Sequence, residues 1–256
     1  MAISSIASSL ISQSFAGQST QQSTQTVADP VTAAFARASN RTDQQLGSTK
    51  VQLSAYGQIK GAFAETQTAS KALSNLKTTS TTDDVKKAVE GFVNAFNKTN
   101  KAVGAATQGD GKQAGALAND SHARVAGNDL RRSVAEGSSL SDLKKIGITQ
   151  NKDGSLNVDT KVLEKALQSN PDQVRSTVAS VGQQVEKTAT RELANNGNVG
   201  SSVNSLNTRS RSLEAQQSAQ QEQIAASQRL VDQQTVQINN VLAGGLAAYQ
   251  RTTFTG

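Results

Sequence analysis

The sequence predicts a mostly α-helical protein in which long N- and C-terminal helices pair as an antiparallel, coiled-coil-like stalk beside a small helical lobe carrying one β-hairpin. Apolar residues recur at helical spacing along most of the chain, whereas one short stretch near residue 150 alternates apolar and polar residues. Hydrophobic residues make up 35% of the sequence and aromatic residues only 3%. This composition favours long helices that bury narrow apolar stripes, and it argues against the deep apolar cleft of an enzyme.

Residues 1–30 are rich in Ser, Thr and Gln, and we expect them to be disordered or to become ordered only on assembly. They lack the basic start and the continuous apolar run of a secretory signal peptide. If the protein leaves the cell, the sequence therefore predicts export without a cleaved signal peptide. No segment is apolar for long enough to span a bilayer, so membrane insertion is not expected.

A first stalk helix is predicted over residues 31–77, with Pro30 suited to its first turn. Its apolar residues follow near-heptad spacing with small residues between them. Gly57 and Gly61 weaken this helix and permit a break.

A helical lobe is predicted over residues 83–190. Its first helix, to about Asn100, has apolar residues at helical intervals. Farther on, Asp153-Gly154 separates two short alternating segments and predicts a β-hairpin over residues 146–158. Candidate N-caps of the neighbouring helices are Asn119 or Asp120, then Asp159 and Asn170. The predicted lobe core consists of Val89, Phe92, Val93, Phe96, Ile146, Ile148, Leu156, Val158, Leu163 and Leu167.

A second stalk helix is predicted over residues 201–250. Its apolar residues recur at seven- and eleven-residue intervals, which is typical of a coiled-coil-like helix of uneven supercoil. Such a helix needs a partner, and the first stalk helix is the obvious candidate. The residues expected to carry packing within the stalk or between subunits are Leu46, Leu53, Phe63, Leu206, Leu213, Ile224, Val231 and Ile238.

Residue clusters that could carry chemistry have simpler structural explanations. His122 is the single histidine and follows Asp120 and Ser121, but neighbours on a helix diverge, whereas a catalytic triad needs convergent side chains. Residues 151–159 resemble a calcium loop in composition, but they lack the bidentate acid of such a loop, and a β-turn explains them. There is no cysteine. We therefore expect no catalytic residues, no cofactor and no metal site.

The charge pattern also restricts the class of partner. The formal net charge is +6, but the Lys and Arg residues are scattered, with no long basic run and no aromatic stacking surface. Nucleic-acid binding is therefore not expected. The polar face of the second stalk helix is mostly Gln rather than basic, which favours packing on a partner helix over binding a membrane.

Several segments share one family pattern. The most specific lies within residues 143–174 and contains, in order, Ile146-Gly147-Ile148, Asp153-Gly154, Leu156-Asn157-Val158-Asp159, Leu163, Ala166-Leu167 and Asn170-Pro171. Residues 89–97 resemble a Phe-Val-x-Ala-Tyr-Asn helix, with Phe96 in place of the usual Tyr. Residues 51–60, 115–131 and 1–5 give further matches. Together these segments resemble the flagellar filament-capping (flagellar hook-associated protein 2) family.

The resemblance implies a structural axial protein of the flagellum, not an enzyme, which forms a ring-like homo-oligomer at the filament tip or the hook–filament junction. The implied partners are other copies of the chain, flagellin or hook-associated proteins, and the flagellar export apparatus. The implied location is the flagellum, outside the cell. Family members carry large β-rich head domains where only residues 77–83 stand here, so the resemblance is to a short member without heads.

One alternative stays open. A cytoplasmic flagellar regulator or an export-chaperone-like protein of the same ancestry would bind flagellar subunits without being built into the filament.

Overall fold

The computed structural model describes residues 30–109 and 111–253 of the chain. The chain divides into two units, residues 1–38 and residues 39–256. The second unit contains the helical lobe with its hairpin and a pair of long helices. The predicted mostly α fold class with one β-hairpin is confirmed. The expectation for residues 1–30 falls, apart from Pro30, outside the described residues.

Seven helices and two strands follow one another in the described residues. They are α1 (Pro30–Ser74), α2 (Thr82–Gln108), α3 (Ser121–Gly137), α4 (Leu140–Lys145), β1 (Ile148–Gln150), β2 (Leu156–Val158), α5 (Thr160–Ser169), α6 (Pro171–Leu193) and α7 (Asn198–Thr253). None of these helices combines the length and the apolar character needed to cross a bilayer.

Side-chain caps fix where the lobe helices begin. Thr81 accepts a hydrogen bond from the Asp84 backbone N–H, and the Asp84 carboxylate accepts one from the Thr81 backbone N–H. This reciprocal pair is a capping box. Of the two candidates for α3, Asp120 rather than Asn119 is the N-cap, and Asp159 caps α5 as predicted. Asn170 occupies the N-cap position of α6 but makes no capping hydrogen bond, and a proline in the first turn starts that helix instead.

Three features differ from the boundaries that the sequence suggests. The helix α1 continues without a break through Gly57 and Gly61, because packing along the helix outweighs the weak helix propensity of glycine. The helix α2 runs on to Gln108, past its expected end near Asn100. The short helix α4 was not predicted, since six residues are too few to show a helical period; it starts where Ser139 caps the Asp142 N–H.

An amide side chain of α2 pairs with the second strand of the hairpin. Its strands are antiparallel, with Ile148 opposite Val158 and Gln150 opposite Leu156. The Leu156 N–H donates to Asn97 Oδ1 at 2.7 Å, and Asn97 Nδ2 donates to the Leu156 carbonyl oxygen at 2.8 Å. The Asn97 amide thereby pairs with the outer edge of β2 as a third strand would. The Leu156 backbone groups at this edge are therefore not left unpaired.

One continuous apolar core joins the lobe helices. The rings of Phe92 and Phe96 lie 5.9 Å apart between centroids, and both side chains are fully buried. The helices α3 and α6 pack extensively against each other. Their backbones approach closely, since a Cβ on Gly137 would lie 2.6 Å from the Val181 Cα.

A second close approach joins α1 to α6. A Cβ on Gly182 would lie 2.6 Å from the Ser70 carbonyl oxygen and 2.7 Å from the Leu73 Cβ. We predict that Gly182→Ala forces the two helices apart and lowers the free energy of unfolding by about 1–3 kcal/mol, as overpacking does in other cores. Urea denaturation monitored by circular dichroism measures this change.

The matched control is Gly91→Ala in α2, where no atom lies within 4 Å of the added Cβ. There the substitution should raise stability by about 0.5–1 kcal/mol, because alanine is the better helix former. Equal midpoints for Gly182→Ala and the wild type would refute the close contact.

Candidate functional site

The long helices α1 and α7 pair antiparallel. Gln220 Nε2 donates to Thr42 Oγ1 at 3.2 Å, and Gln217 Nε2 donates to Asp43 Oδ1 at 2.7 Å. Farther along α1, Lys50 Nζ lies 3.1 Å from Glu214 Oε1. In these contacts the residue numbers increase along α1 while they decrease along α7, so the two helices are antiparallel. We call the paired parts, α1 residues 39–56 and α7 residues 198–220, the stalk.

The interior of the stalk mixes leucines with small hydroxyl side chains. Leu46 and Leu213 are buried there. Four polar residues are buried with them: Thr42, Thr49, Ser202 and Ser210. The Thr49 hydroxyl donates to the Gln45 carbonyl oxygen of its own helix at 2.7 Å, so it needs no partner across the seam.

The residues predicted to pack in the stalk or between subunits have different surroundings in the structure. Phe63 belongs to the lobe core, where it is fully buried. Leu46 and Leu213 are buried, whereas Leu53, Leu206 and Ile224 are half-buried. Val231 and Ile238 are exposed to 60% and 58%. Within the described chain, these last two side chains therefore have no partner helix against which they pack.

Beyond residue 225, α7 carries an exposed aliphatic surface. Its large apolar residues are Leu230, Val231, Val236, Ile238, Val241 and Leu242, each at least 58% exposed. With each residue advancing by about 100°, all of them except Val236 fall within an arc of about 120°. We call these five residues the distal α7 face. It continues the line of Leu213 and Ile224 along the same helix.

The lobe and the stalk meet at a buried tyrosine. Tyr56 Oη donates to Asp120 Oδ1 at 2.7 Å, and the Ala123 N–H donates to the same oxygen at 3.0 Å. Ser202 of α7 lies next to the Tyr56 hydroxyl, and its Oγ lies 3.1 Å from His122 Nδ1. Burial, with the Asp120 carboxylate as a further cause, raises the pKa of the Tyr56 hydroxyl well above its usual range.

His122 thus takes part in a structural junction. Its side chain is exposed, and Asp120 bonds Tyr56 and the α3 N-terminus rather than the imidazole. Sequence reasoning did not find the junction, because its residues come from three distant helices.

A buried carboxylate stabilises the turn between α6 and α7. Glu192 is 1% exposed; Asn198 Nδ2 donates to its Oε2 at 2.7 Å, and Arg191 Nε donates to its Oε1 at 3.1 Å. A Cβ at Gly197 would lie 2.0 Å from the Arg191 carbonyl oxygen, so the turn needs glycine. Among the described residues, no three His, Asp or Glu side chains cluster in a way that could hold a metal ion.

The comparison with known families identifies this architecture. Residues 11–241 match the family model described as Flagellar hook-associated protein 2 C-terminus. The chain belongs to the flagellar hook-associated protein 2 family. No curated protein and no solved structure gives a significant match.

In this flagellar hook-associated protein 2 family chain, the most specific segments of the family pattern, residues 143–174 and 89–97, lie in the lobe. The predicted lobe-core residues are buried in it, except that Val158 is half-buried against the core. Between α1 and α2, where the resemblance implies head domains, only residues 75–81 occur. Arg175 Nη2 donates to the Ser80 carbonyl oxygen at 2.8 Å and holds this connection against α6.

The Tyr56 junction predicts a pH dependence. An unfolded tyrosine ionises near pH 10, whereas folded Tyr56 resists ionisation, so its contribution to stability is complete below about pH 10 and is lost as the pH rises further. We predict that Tyr56→Phe lowers the free energy of unfolding by about 1–2 kcal/mol at neutral pH, because the Asp120 carboxylate loses a buried donor. Above about pH 10 the wild type should lose stability faster than the variant.

Urea unfolding at about pH 8 and about pH 10.5 measures both effects. Every other ionisable group is common to the two proteins, so its contribution cancels in the difference. Parallel loss of stability by the two proteins above about pH 10 would contradict the buried hydroxyl.

Proposed function

We propose that this chain is a structural axial protein of the flagellum, of the filament-cap or hook-associated type, which acts by self-assembly and not by catalysis. The observation that carries the proposal is the distal α7 face. A helix with an uncovered aliphatic stripe is unfavourable in water and favours association with another apolar surface.

The family supports this proposal. Flagellar hook-associated protein 2 is a structural family that self-assembles and associates with flagellar components. We propose that the chain follows this pattern as a ring-like homo-oligomer, which contacts flagellin or hook-associated proteins and is secreted through the flagellar export apparatus. Closed rings are the usual result when identical subunits associate through a heterologous contact that closes.

The chemistry of the distal α7 face supports helix packing rather than a charged partner. From residue 221 to residue 244 the charged residues are Glu222, Arg229 and Asp232. Most of the polar positions between them are Gln or Asn. Such a surface fits the flank of another weakly charged helix, and it lacks the basic face that binds anionic membranes.

The short connection at residues 75–81 favours the second candidate function. In this position the described part of the chain has no counterpart of the β-rich head domains that the resemblance implies. A cytoplasmic flagellar regulator or an export-chaperone-like protein would need a helix-binding surface but no head domains.

Deletion of the gene separates the two functions. If the protein is part of the filament or hook junction, deletion should cause loss of swarming and release of unassembled flagellin into the medium, and the protein should be present in sheared, washed filaments. Immunoblotting of the sheared fraction measures its presence. Its confinement to the cytoplasm in a swarming-defective deletion background would favour the regulator.

Introducing negatively charged side chains tests the role of the distal α7 face. We predict that Val231→Asp with Ile238→Asp converts oligomers to monomers in light scattering, because a carboxylate resists burial in an apolar contact. Both side chains are exposed within the chain, so circular dichroism should show an unchanged fold.

Val236→Asp is the matched control, since Val236 is exposed to 58%, as Ile238 is, but lies outside the distal α7 face. It should leave the oligomer mass unchanged. Equal loss of mass in the control, or unchanged mass in the double variant, would refute assembly through this face.

A further inference from the structure

A polar cavity lies between the hairpin turn and the helices α2 and α3. It has a volume of about 430 Å³ and is lined by Gln108, Arg131, Gln150, Asn151, Lys152, Asp153 and Gly154. The hairpin in this cavity is the segment whose composition suggests a calcium loop. We call the site the Arg131 cavity.

The Arg131 guanidinium is fixed in this cavity by neutral groups. Nη1 donates to Asn100 Oδ1 at 2.7 Å, and Nη2 donates to Asn128 Oδ1 at 2.5 Å. An amide oxygen orients the guanidinium but does not neutralise its charge. Among the described residues, neither Arg131 nor Lys152 is part of an ion pair. The two observed bonds use two of the five N–H donors of the guanidinium.

The hairpin turn is built around the arginine. Asn100 Nδ2 donates to the Asp153 carbonyl oxygen at 3.1 Å, so the same side chain holds both the guanidinium and the turn. Gly154 has a φ of 81°, and a Cβ there would lie 2.0 Å from the Arg131 Cδ. A glycine is therefore needed both for the backbone conformation and for the space that the arginine occupies.

The one carboxylate in the lining is committed to the turn. Asp153 Oδ1 accepts hydrogen bonds from Ser155 Oγ at 2.7 Å and from the Ser155 N–H at 2.9 Å. These bonds, with the nearby Arg131 charge as a smaller cause, hold the pKa of the Asp153 carboxyl below its usual range. Two cationic side chains thus line the cavity with one carboxylate, which already has its donors. This balance is the reverse of a calcium site.

We propose that the Arg131 cavity binds a small oxyanion of the phosphate or carboxylate class. The guanidinium presents a planar set of donors that matches two oxygens of such an anion, and its position is set before binding. Lys152 adds a second charge from the exposed tip of the turn. The Gln108 side-chain amide offers further donors, whereas Gln150 Nε2 already donates to the Arg131 carbonyl oxygen at 3.4 Å and has one N–H left. The site is independent of the stalk and of assembly through the distal α7 face.

The test is a titration of the full chain with inorganic phosphate and, in a second arm, with acetate, at constant ionic strength. Amide chemical shifts in ¹⁵N-labelled protein report the binding. We expect saturable shifts confined to residues 150–154 and to the neighbourhood of Arg131. The phosphate arm and the acetate arm distinguish the two kinds of oxyanion by their affinities.

Two variants test which cationic side chains bind the anion, and a third variant is the control. Arg131→Gln should weaken binding by at least about tenfold, as loss of a charge-assisted hydrogen bond does. Lys152→Gln should weaken it less and, because this side chain is exposed, should not disturb the fold. Arg132→Gln is the matched control, since this arginine is one residue away, is 68% exposed and lies near Asp129 instead.

Saturable binding that weakens in the first two variants and not in the control establishes the site. If Arg131→Gln loses the hairpin, as judged by its amide spectrum, Lys152→Gln decides the result. Shifts that rise linearly without saturation, or that are the same in all three variants, would overturn the proposal.

Discussion

The antiparallel contact between α1 and α7 is the constraint on which the other features depend. These helices have 45 and 56 residues, and helices in proteins gain most of their stability from lateral packing rather than from propensity. The helix α1 packs against two different parts of the molecule along its length. Toward its C-terminus, Phe63 and Leu73 are buried in the lobe core, and farther toward its N-terminus, Leu46 is buried against α7. One continuous helix thereby connects the core of the lobe to the seam of the stalk.

The two parts differ in what fills their interiors. The lobe buries aliphatic and aromatic side chains and brings backbones together at Gly137 and Gly182. The stalk buries hydroxyl side chains such as Thr49 and Ser210 beside few leucines. Since hydrophobic stabilisation scales with the apolar area removed from water, the seam contributes less per turn than the lobe core. A seam of this kind can open at lower cost than the lobe unfolds.

Local signals in the sequence were enough for the fold class and for several boundaries. Asp153-Gly154 predicts the hairpin turn, and Asp120 and Asp159 predict two helix starts, because turns and caps depend on residues close together in the chain. Contacts between distant residues have no such signal, as for the Asn97 amide that pairs with Leu156. The polar seam was missed for another reason, since Thr and Ser read as surface residues. Counting hydroxyl residues as seam positions restores the three- and four-residue steps through 42, 46, 49, 53 and 56.

The junction of lobe and stalk determines where α7 can bend. Tyr56 of α1 donates to Asp120 at the start of α3, and Ser202 of α7 lies next to the Tyr56 hydroxyl. Moving α1 away from α3 therefore leaves the buried Tyr56 hydroxyl without its partner, at considerable cost. In the turn that precedes α7, the buried Glu192 carboxylate would likewise lose its Asn198 partner if α7 moved away from α6. Past Gln220 no comparable network occurs among the described residues, and the side chains beyond residue 225 are exposed as far as residue 244. Bending of α7 relative to the lobe is therefore concentrated beyond the Thr42–Gln220 contact, which leaves the distal α7 face free to adjust to a partner while the lobe keeps its shape.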